Sequence, residues 1–520
     1  QVVWTLWFTY GVFYFCRTNI SAAVPGMKSP AADGGLGLSG DEVGWILASL
    51  KIAYGLGQLV NGQVAERIPA RYLLAVGMFG SAALNVLFGL GTGFYFLLFV
   101  WACNGYCQSL GWTPCMRVIG NWIPVSRRGN SIGVIGTGYQ ITLGLTYFVA
   151  SWAADVDVFG WRGALFVPSM LLAAGGGAML LLLKESPNQP LDSPLASEAS
   201  RPVDDEPAPL KASVSENIYL TLFNPSLWLM GLSLGLLNAC RYGFLDWGLT
   251  HLMEVQDTGV GKAGLKYVFI AVGAAAGAYI SGWATDRFFG GRRIPVIAGL
   301  LVALGVLTLA YEAVARYSGT GTILLLVVIG FCIYGPQVLL VGTAPADFAH
   351  RRTTAAAAGF VNFMGYMGAA TGDVVTGHFS AETHGGWQVA IWIWAGWAFT
   401  AAVFTSLLWN ASEKDLSILP AFVPRLTGTF VLVVAGWSIL VGDYALWPAV
   451  MLLIAAVAMT ATFVNRNVAW PCLGAAVWAI LYLFANYATG DSGVTWNLAA
   501  GLACSGIAVI TSVMILVDRR

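Results

Sequence analysis

Charge is what this sequence has least of. Lys, Arg, Asp and Glu make up 10% of its 520 residues, where soluble globular domains carry about 25%. The 26 basic and 26 acidic residues cancel, so no basic surface is available for nucleic acid. The eight cysteines lie mostly inside apolar runs and form no C-x-x-C pair, which reads as buried small residues rather than metal or disulfide chemistry. No metal cluster, nucleophile triad or phosphate-cradling loop is present, so enzymatic activity is the weakest reading and no cofactor is expected. What fills the chain instead is apolar: 57% hydrophobic residues, with 63 Gly and 21 Trp. Gly lets transmembrane helices approach closely, and Trp favours the bilayer interface. Gln1 already sits in an apolar run, so the natural N-terminus is expected to lie upstream and no targeting segment is read.

A helix needs about 20 apolar residues to cross the hydrocarbon core. Apolar runs between polar breaks predict spans near 1–26, 42–64, 72–91, 94–122, 130–153 and 163–183, then 226–250, 262–284, 294–314, 322–345, 355–378 and 387–410. Between the two groups of six lies a polar stretch rich in Ser, Pro, Asp and Glu, which reads as a linker. Four further runs follow near 427–442, 446–464, 468–486 and 495–517. The expected organisation is an all-α polytopic membrane protein. It has a six-helix half over 1–183, a cytoplasmic linker over 184–217, a second half over 218–412, a connector over 413–426 and a four-helix module over 427–520. Placing the N-terminus inside puts Arg67, Arg71, Arg127, Arg128, Arg287, Arg292, Arg293, Arg351 and Arg352 in inner loops. The outer loops then hold Lys28, Arg162, Lys262 and Arg316. This asymmetry predicts that both termini are cytoplasmic.

The two groups of six repeat one another. Gly62-Gln-Val-Ala-Glu66-Arg67 matches Gly282-Trp-Ala-Thr-Asp286-Arg287 at an offset of 220, and Pro114 matches Pro336 at 222. Arg127-Arg128 matches Arg351-Arg352, and Arg17 matches Arg241, both at 224. Parallel six-helix repeats of this kind are the plan of the 6+6 major facilitator fold, related by a pseudo-twofold axis along the membrane normal. Gly62, Glu66, Arg67, Gly282, Asp286 and Arg287 are the candidate gating residues. A carboxylate and a guanidinium one residue apart at a helix end can pair across to a neighbour in one state and release it in another.

An arginine at mid-membrane costs about 2.5–3.5 kcal/mol even on the lenient insertion scale. Arg17 and Arg241 therefore need a partner or a purpose. The repeat sets them on opposite sides of one axis, where a phosphate or carboxylate could bridge both guanidinium forks. The plainer alternative is internal pairing, with Asp246 and Asp373 available. Tyr10, Tyr14 and Arg17 fall on one helix face at i, i+4 and i+7, as do Lys51, Tyr54 and Gln58 at i, i+3 and i+7. Asn362, Tyr366 and Asp373 share a face of the eleventh span.

Several motifs, in order, resemble the organophosphate:phosphate antiporters, the family of the bacterial glycerol-3-phosphate and hexose-phosphate transporters. They are Tyr14-Phe-Cys-Arg17-Thr-Asn19, Ile52-Ala-Tyr-Gly55, Gly111-Trp-Thr-Pro-Cys-Met-Arg117, Arg241-Tyr-Gly-Phe-Leu-Asp-Trp247 and Ile333-Tyr-Gly-Pro336. The resemblance covers about residues 4 to 410. It implies rocker-switch exchange of an organic phosphate for inorganic phosphate in a bacterial inner membrane. It makes Arg17 and Arg241 the phosphate ligands, with Tyr10, Tyr14, Tyr54, Tyr334, Asn238 and Asp246 in the cavity. Departures bear on the substrate: the family's cavity histidine is Tyr139, its lysine in span two is Gln58, its basic residue after the first arginine is Thr18, and its span-eight glutamate is Ala271. Lys51 and Asp373 are additions, Lys51 as a replacement cation and Asp373 as its partner, a site for a substrate amine, or a proton carrier. Two other activities fit the same residues: proton-coupled anion symport through Asp373 or Asp246, and sugar-phosphate sensing. The last four spans carry Trp437, Trp447, Trp478 and Trp496 in two similar hairpins, read as a packing or self-association module, or one that engages a partner.

Overall fold

The computed structural model describes residues 2–123, 125–184, 221, 224–344 and 354–409. The linker beyond Lys184 and the four C-terminal runs lie outside the described residues. The described chain is helical, with no strand among the described residues.

The first half begins with α1 (Val2–Phe13), a 3₁₀ turn (Tyr14–Cys16) and α2 (Ile20–Lys28), which together make one interrupted span. There follow α3 (Gly40–Arg67), α4 (Ala70–Leu90), α5 (Phe94–Ser109) with α6 (Trp112–Trp122), α7 (Val125–Ala154) and α8 (Gly163–Leu182). The second half repeats this order. It has α9 (Pro225–Tyr242), a π-turn (Gly243–Trp247) and α10 (Gly248–Gln256), then α11 (Val260–Phe288) and α12 (Ile294–Tyr317). It ends with α13 (Gly319–Val338), a second π-turn (Leu339–Thr343), α14 (Thr354–Phe379) and α15 (Gly386–Ser406). The start of α3 is fixed by a capping box: Ser39 Oγ accepts from the Glu42 amide at 3.2 Å, and Glu42 accepts from the Ser39 amide at 2.9 Å.

Six stretches are long and apolar enough to cross a bilayer on composition alone: α4, α8 with its lead-in turn, α11, α12, α13 with its π-turn, and α15. The remaining spans are interrupted or more polar. They are the ones that carry Arg17, Lys51, Gln108, Tyr139, Arg241 and Asp373. Polarity is thus concentrated on the helices that line the middle of the bundle.

The halves meet along α3 against α14 and α7 against α11. Near the end of the bundle that bears Lys28 the backbones almost touch. A methyl group at Gly40 would lie 2.3 Å from the Gly377 carbonyl oxygen, and one at Gly264 would lie 2.0 Å from Ser151 Oγ. Cross-half bonds seal this end: Lys28 to Glu254 at 3.3 Å, His378 to Asp41 at 3.0 Å, and the Gly261 amide to Asp155 at 3.0 Å. Toward the Arg67 end the described glycines of these helices are less crowded. Methyl groups at Gly133, Gly282 and Gly359 would meet nothing within 4 Å. Among the described residues the bundle is closed at the Lys28 end.

Candidate functional site

Arg17 does not lie on a helix. The expected i, i+4, i+7 face of Tyr10, Tyr14 and Arg17 fails at its last member, because α1 stops at Phe13 and the chain tightens into a 3₁₀ turn. Amide side chains from neighbouring spans catch the carbonyls this break releases. Gln108 donates to Phe13 O at 3.1 Å, and Asn104 and Asn85 donate to Cys16 O at 3.0 and 3.4 Å. Inside a membrane an unwound backbone persists only where such partners exist. Gln108 then turns its oxygen to Arg17 Nε at 3.1 Å. The guanidinium lies 4.7 Å from the Tyr14 ring and 4.5 Å from the Tyr54 ring.

Arg241 repeats this on the other half, in the last turn of α9, where the helix widens into the π-turn. It donates to the Tyr334 hydroxyl at 3.0 Å and approaches Asn238 Oδ1 at 3.5 Å. Its guanidinium lies 4.7 Å from the Tyr334 ring and 4.9 Å from the Tyr242 ring. Both arginines are buried. Among the described residues Arg17 Nη2 and Arg241 Nε have no hydrogen-bond partner. Buried donors are almost always satisfied, so two unsatisfied guanidinium groups at equivalent positions mark a place for an acceptor.

Aromatic rings wall the space beside them. Tyr14 stacks on Tyr139 at 5.0 Å, Tyr10 packs on Trp112 at 4.9 Å, and Tyr54 reaches across the halves to Tyr366 at 4.4 Å. Gln58 lies half-buried on α3, with its amide nitrogen unbonded.

Asp246 and Asp373 do not pair with the arginines. Among the described residues both pair with Lys51: its ammonium donates to Asp246, and Asp373 Oδ2 is 2.6 Å away. Lys51 also sits 4.7 Å from the Tyr242 ring. The π-turn explains the Asp246 contact, since one extra residue per turn swings its carboxylate toward α3. The expected gating residues divide between described and undescribed side chains. Gly282, Asp286 and Arg287 lie at the last turns of α11, with Asp286 and Arg287 exposed, while the Glu66 and Arg67 side chains lie outside the described ones. Sequence reasoning passes over Asn85, Asn104, Gln108 and Tyr242. An amide inside an apolar run was the available signal for the first three.

The profile of the Major Facilitator Superfamily matches residues 6–373. A "Probable hexose phosphate transport protein" of Chlamydia trachomatis serovar D is 28% identical over 434 residues, covering 80% of this chain and 92% of that protein. The "Membrane sensor protein UhpC" of Escherichia coli K12 is 28% identical over 438 residues, covering 82% and 93%. Among solved structures, a bacterial homolog of the human lysosomal transporter Spinster, inward-facing and unoccupied, superimposes with a TM-score of 0.60 at 16% identity, covering 80% of this chain and 96% of that one. The last likeness concerns the fold alone.

Proposed function

This chain belongs to the major facilitator superfamily, and from that membership we propose that it carries an organic phosphate across the membrane in exchange for inorganic phosphate. Its relatives and motifs group it with the organophosphate:phosphate antiporters. The observation that carries the reading is the arginine pair: Arg17 and Arg241 stand at equivalent breaks in the two halves, each buried with an unsatisfied N–H. A phosphate has oxygens enough to accept from both forks at once. The tyrosine wall around it suits the hydroxyl-bearing remainder of an organic phosphate, which can hydrogen-bond to phenols and pack on their rings.

Exchange follows from the same charges. Two guanidinium groups resist being drawn together across an empty cavity, and a bound anion removes that repulsion. A ligand that stabilises the switching state more than the resting state speeds the change of state. Basic residues cluster at the Arg67 end, which we take as cytoplasmic, with both termini on that side and the bacterial inner membrane as the setting. Asp286 and Arg287, with Glu66 and Arg67, are the groups we assign to closing that end. The C-terminal module is assigned to self-association.

The test is uptake of labelled phosphate into proteoliposomes, with and without internal unlabelled phosphate. Uptake that requires internal phosphate, and that organic phosphates compete, is the expected outcome. Phosphate binding with no flux would favour a sensor. Absence of both binding and flux in folded protein would end the reading.

A further inference from the structure

The arginine pair accounts for an anion, but it leaves the neighbouring charges unused, and their arithmetic is uneven. One ammonium, Lys51, serves two carboxylates, Asp246 and Asp373. These residues are 3%, 1% and 0% exposed, so no solvent screens the imbalance. Among the described residues neither oxygen of Asp373 accepts a directed hydrogen bond, although the ammonium is in contact. Among the described residues the surrounding groups supply no second cation in an ion pair with either carboxylate. From α9 come Tyr242, whose ring faces Lys51, and Arg241 beyond it, bonded to Tyr334. From α7 comes Tyr147, whose hydroxyl is spent on the Leu245 carbonyl at 2.7 Å. On α14 itself are Tyr366, packed at a tilt against Tyr54, and His378, tied to Asp41 of α3. Among the described residues none of these is ion-paired with either carboxylate.

The cluster is also divided between the halves. Lys51 rides on α3 in the first half. Asp246, on the π-turn, and Asp373, on α14, ride together on the second. Opening the Lys28 end must part α3 from α14 and withdraw the ammonium, leaving two carboxylates close enough to have shared it.

We propose that Asp246 and Asp373 form a proton site, occupied alternately by the Lys51 ammonium when the Lys28 end is closed and by a proton when it is open. This rests on the alternating-access reading given above. Two adjacent carboxylates in a poorly solvated site cannot both stay ionised without a cation. As Lys51 leaves, water entering from the Lys28 side delivers one proton to a carboxylate oxygen, forming one O–H bond. As Lys51 returns, that bond breaks and the proton departs to water. The site on the second half, counted with whichever cation occupies it, holds a net charge of one negative unit in both states.

The test needs no substrate, so its failure is separate from failure of the phosphate reading. Spin labels at Ala32 and Thr383, exposed at the Lys28 end on the two halves, report opening of that end in a cysteine-free background reconstituted in nanodiscs. The open state binds one more proton, so its population relative to the closed state should rise as pH falls, by up to about tenfold per pH unit. A His378→Gln background removes the imidazole that is paired with Asp41 across the halves, so the response measured there belongs to the carboxylates. Asp373→Asn and Asp246→Asn should each abolish the pH response, and Asp373→Glu should restore it. A wild-type distance distribution that does not change with pH would overturn the proposal, as would a pH response that survives both Asn substitutions.

Discussion

The two halves share a backbone plan and differ in charge. In each, an arginine stands where the first span of the half loses its α-helical register: after a 3₁₀ turn at Arg17, before a π-turn at Arg241. In each, the tether comes from the fourth span of that half, Gln108 for Arg17 and Tyr334 for Arg241. Beyond this the resemblance stops. The first half adds a second cation, Lys51, and no buried carboxylate partner of its own. The second half adds Asp246 and Asp373. The proposed anion site is thus symmetric, while the described charges at the interface beside it are complementary between the halves. The arginines repel across the axis while the Lys51 cluster attracts, so the empty carrier has a reason to rest closed at the Lys28 end.

The sharpest way to break this asymmetry is Lys51→Met. Removing one member of a buried ion pair leaves uncompensated charge and costs about 3–5 kcal/mol. Thermal unfolding in detergent should show a large loss of stability that shrinks as pH falls, because a proton can replace the ammonium. Adding Asp373→Asn should recover part of the loss. Next in size is loss of either fork. Arg17→Lys and Arg241→Lys should each weaken phosphate exchange by on the order of 10- to 100-fold, the worth of a charged hydrogen bond, with unfolding temperatures unchanged. If only one of them did so, the site would belong to one half.

The tethers offer a finer comparison. Tyr334→Phe removes one hydroxyl and should raise the KM for phosphate several-fold, in line with about 0.5–1.5 kcal/mol for a single hydrogen bond. Gln108→Ala should cost more, since Gln108 also holds the Phe13 carbonyl at the helix break. Smallest is Lys28→Ala, whose partner Glu254 is half exposed. Surface pairs contribute about 0.2–1 kcal/mol, and exchange rates should change less than twofold.

What the sequence shows and hides follows from the range of the forces involved. Spans, repeat and buried charges are local or periodic, so the helices from α1 to α15 fall close to the apolar runs, and Arg17, Arg241, Lys51 and Asp373 stand out as charges in apolar surroundings. The break before Arg17 is not local. It is held by Gln108, Asn104 and Asn85 from other spans, and no pattern around Tyr14 announces it. The π-turn is similar, since Gly243–Trp247 reads as ordinary helix, yet its extra residue decides that Asp246 reaches Lys51. Charge partners were legible as a set and not as a pairing, because pairing depends on which helices meet across the halves.

The central claim is that one anion is held between two arginines, one from each half. Equilibrium binding of labelled inorganic phosphate to the purified protein tests it most directly, with Arg17→Lys and Arg241→Lys measured alongside. One phosphate per chain, lost or severely weakened in both variants, is the predicted result. Wild-type affinity in either variant would contradict the claim.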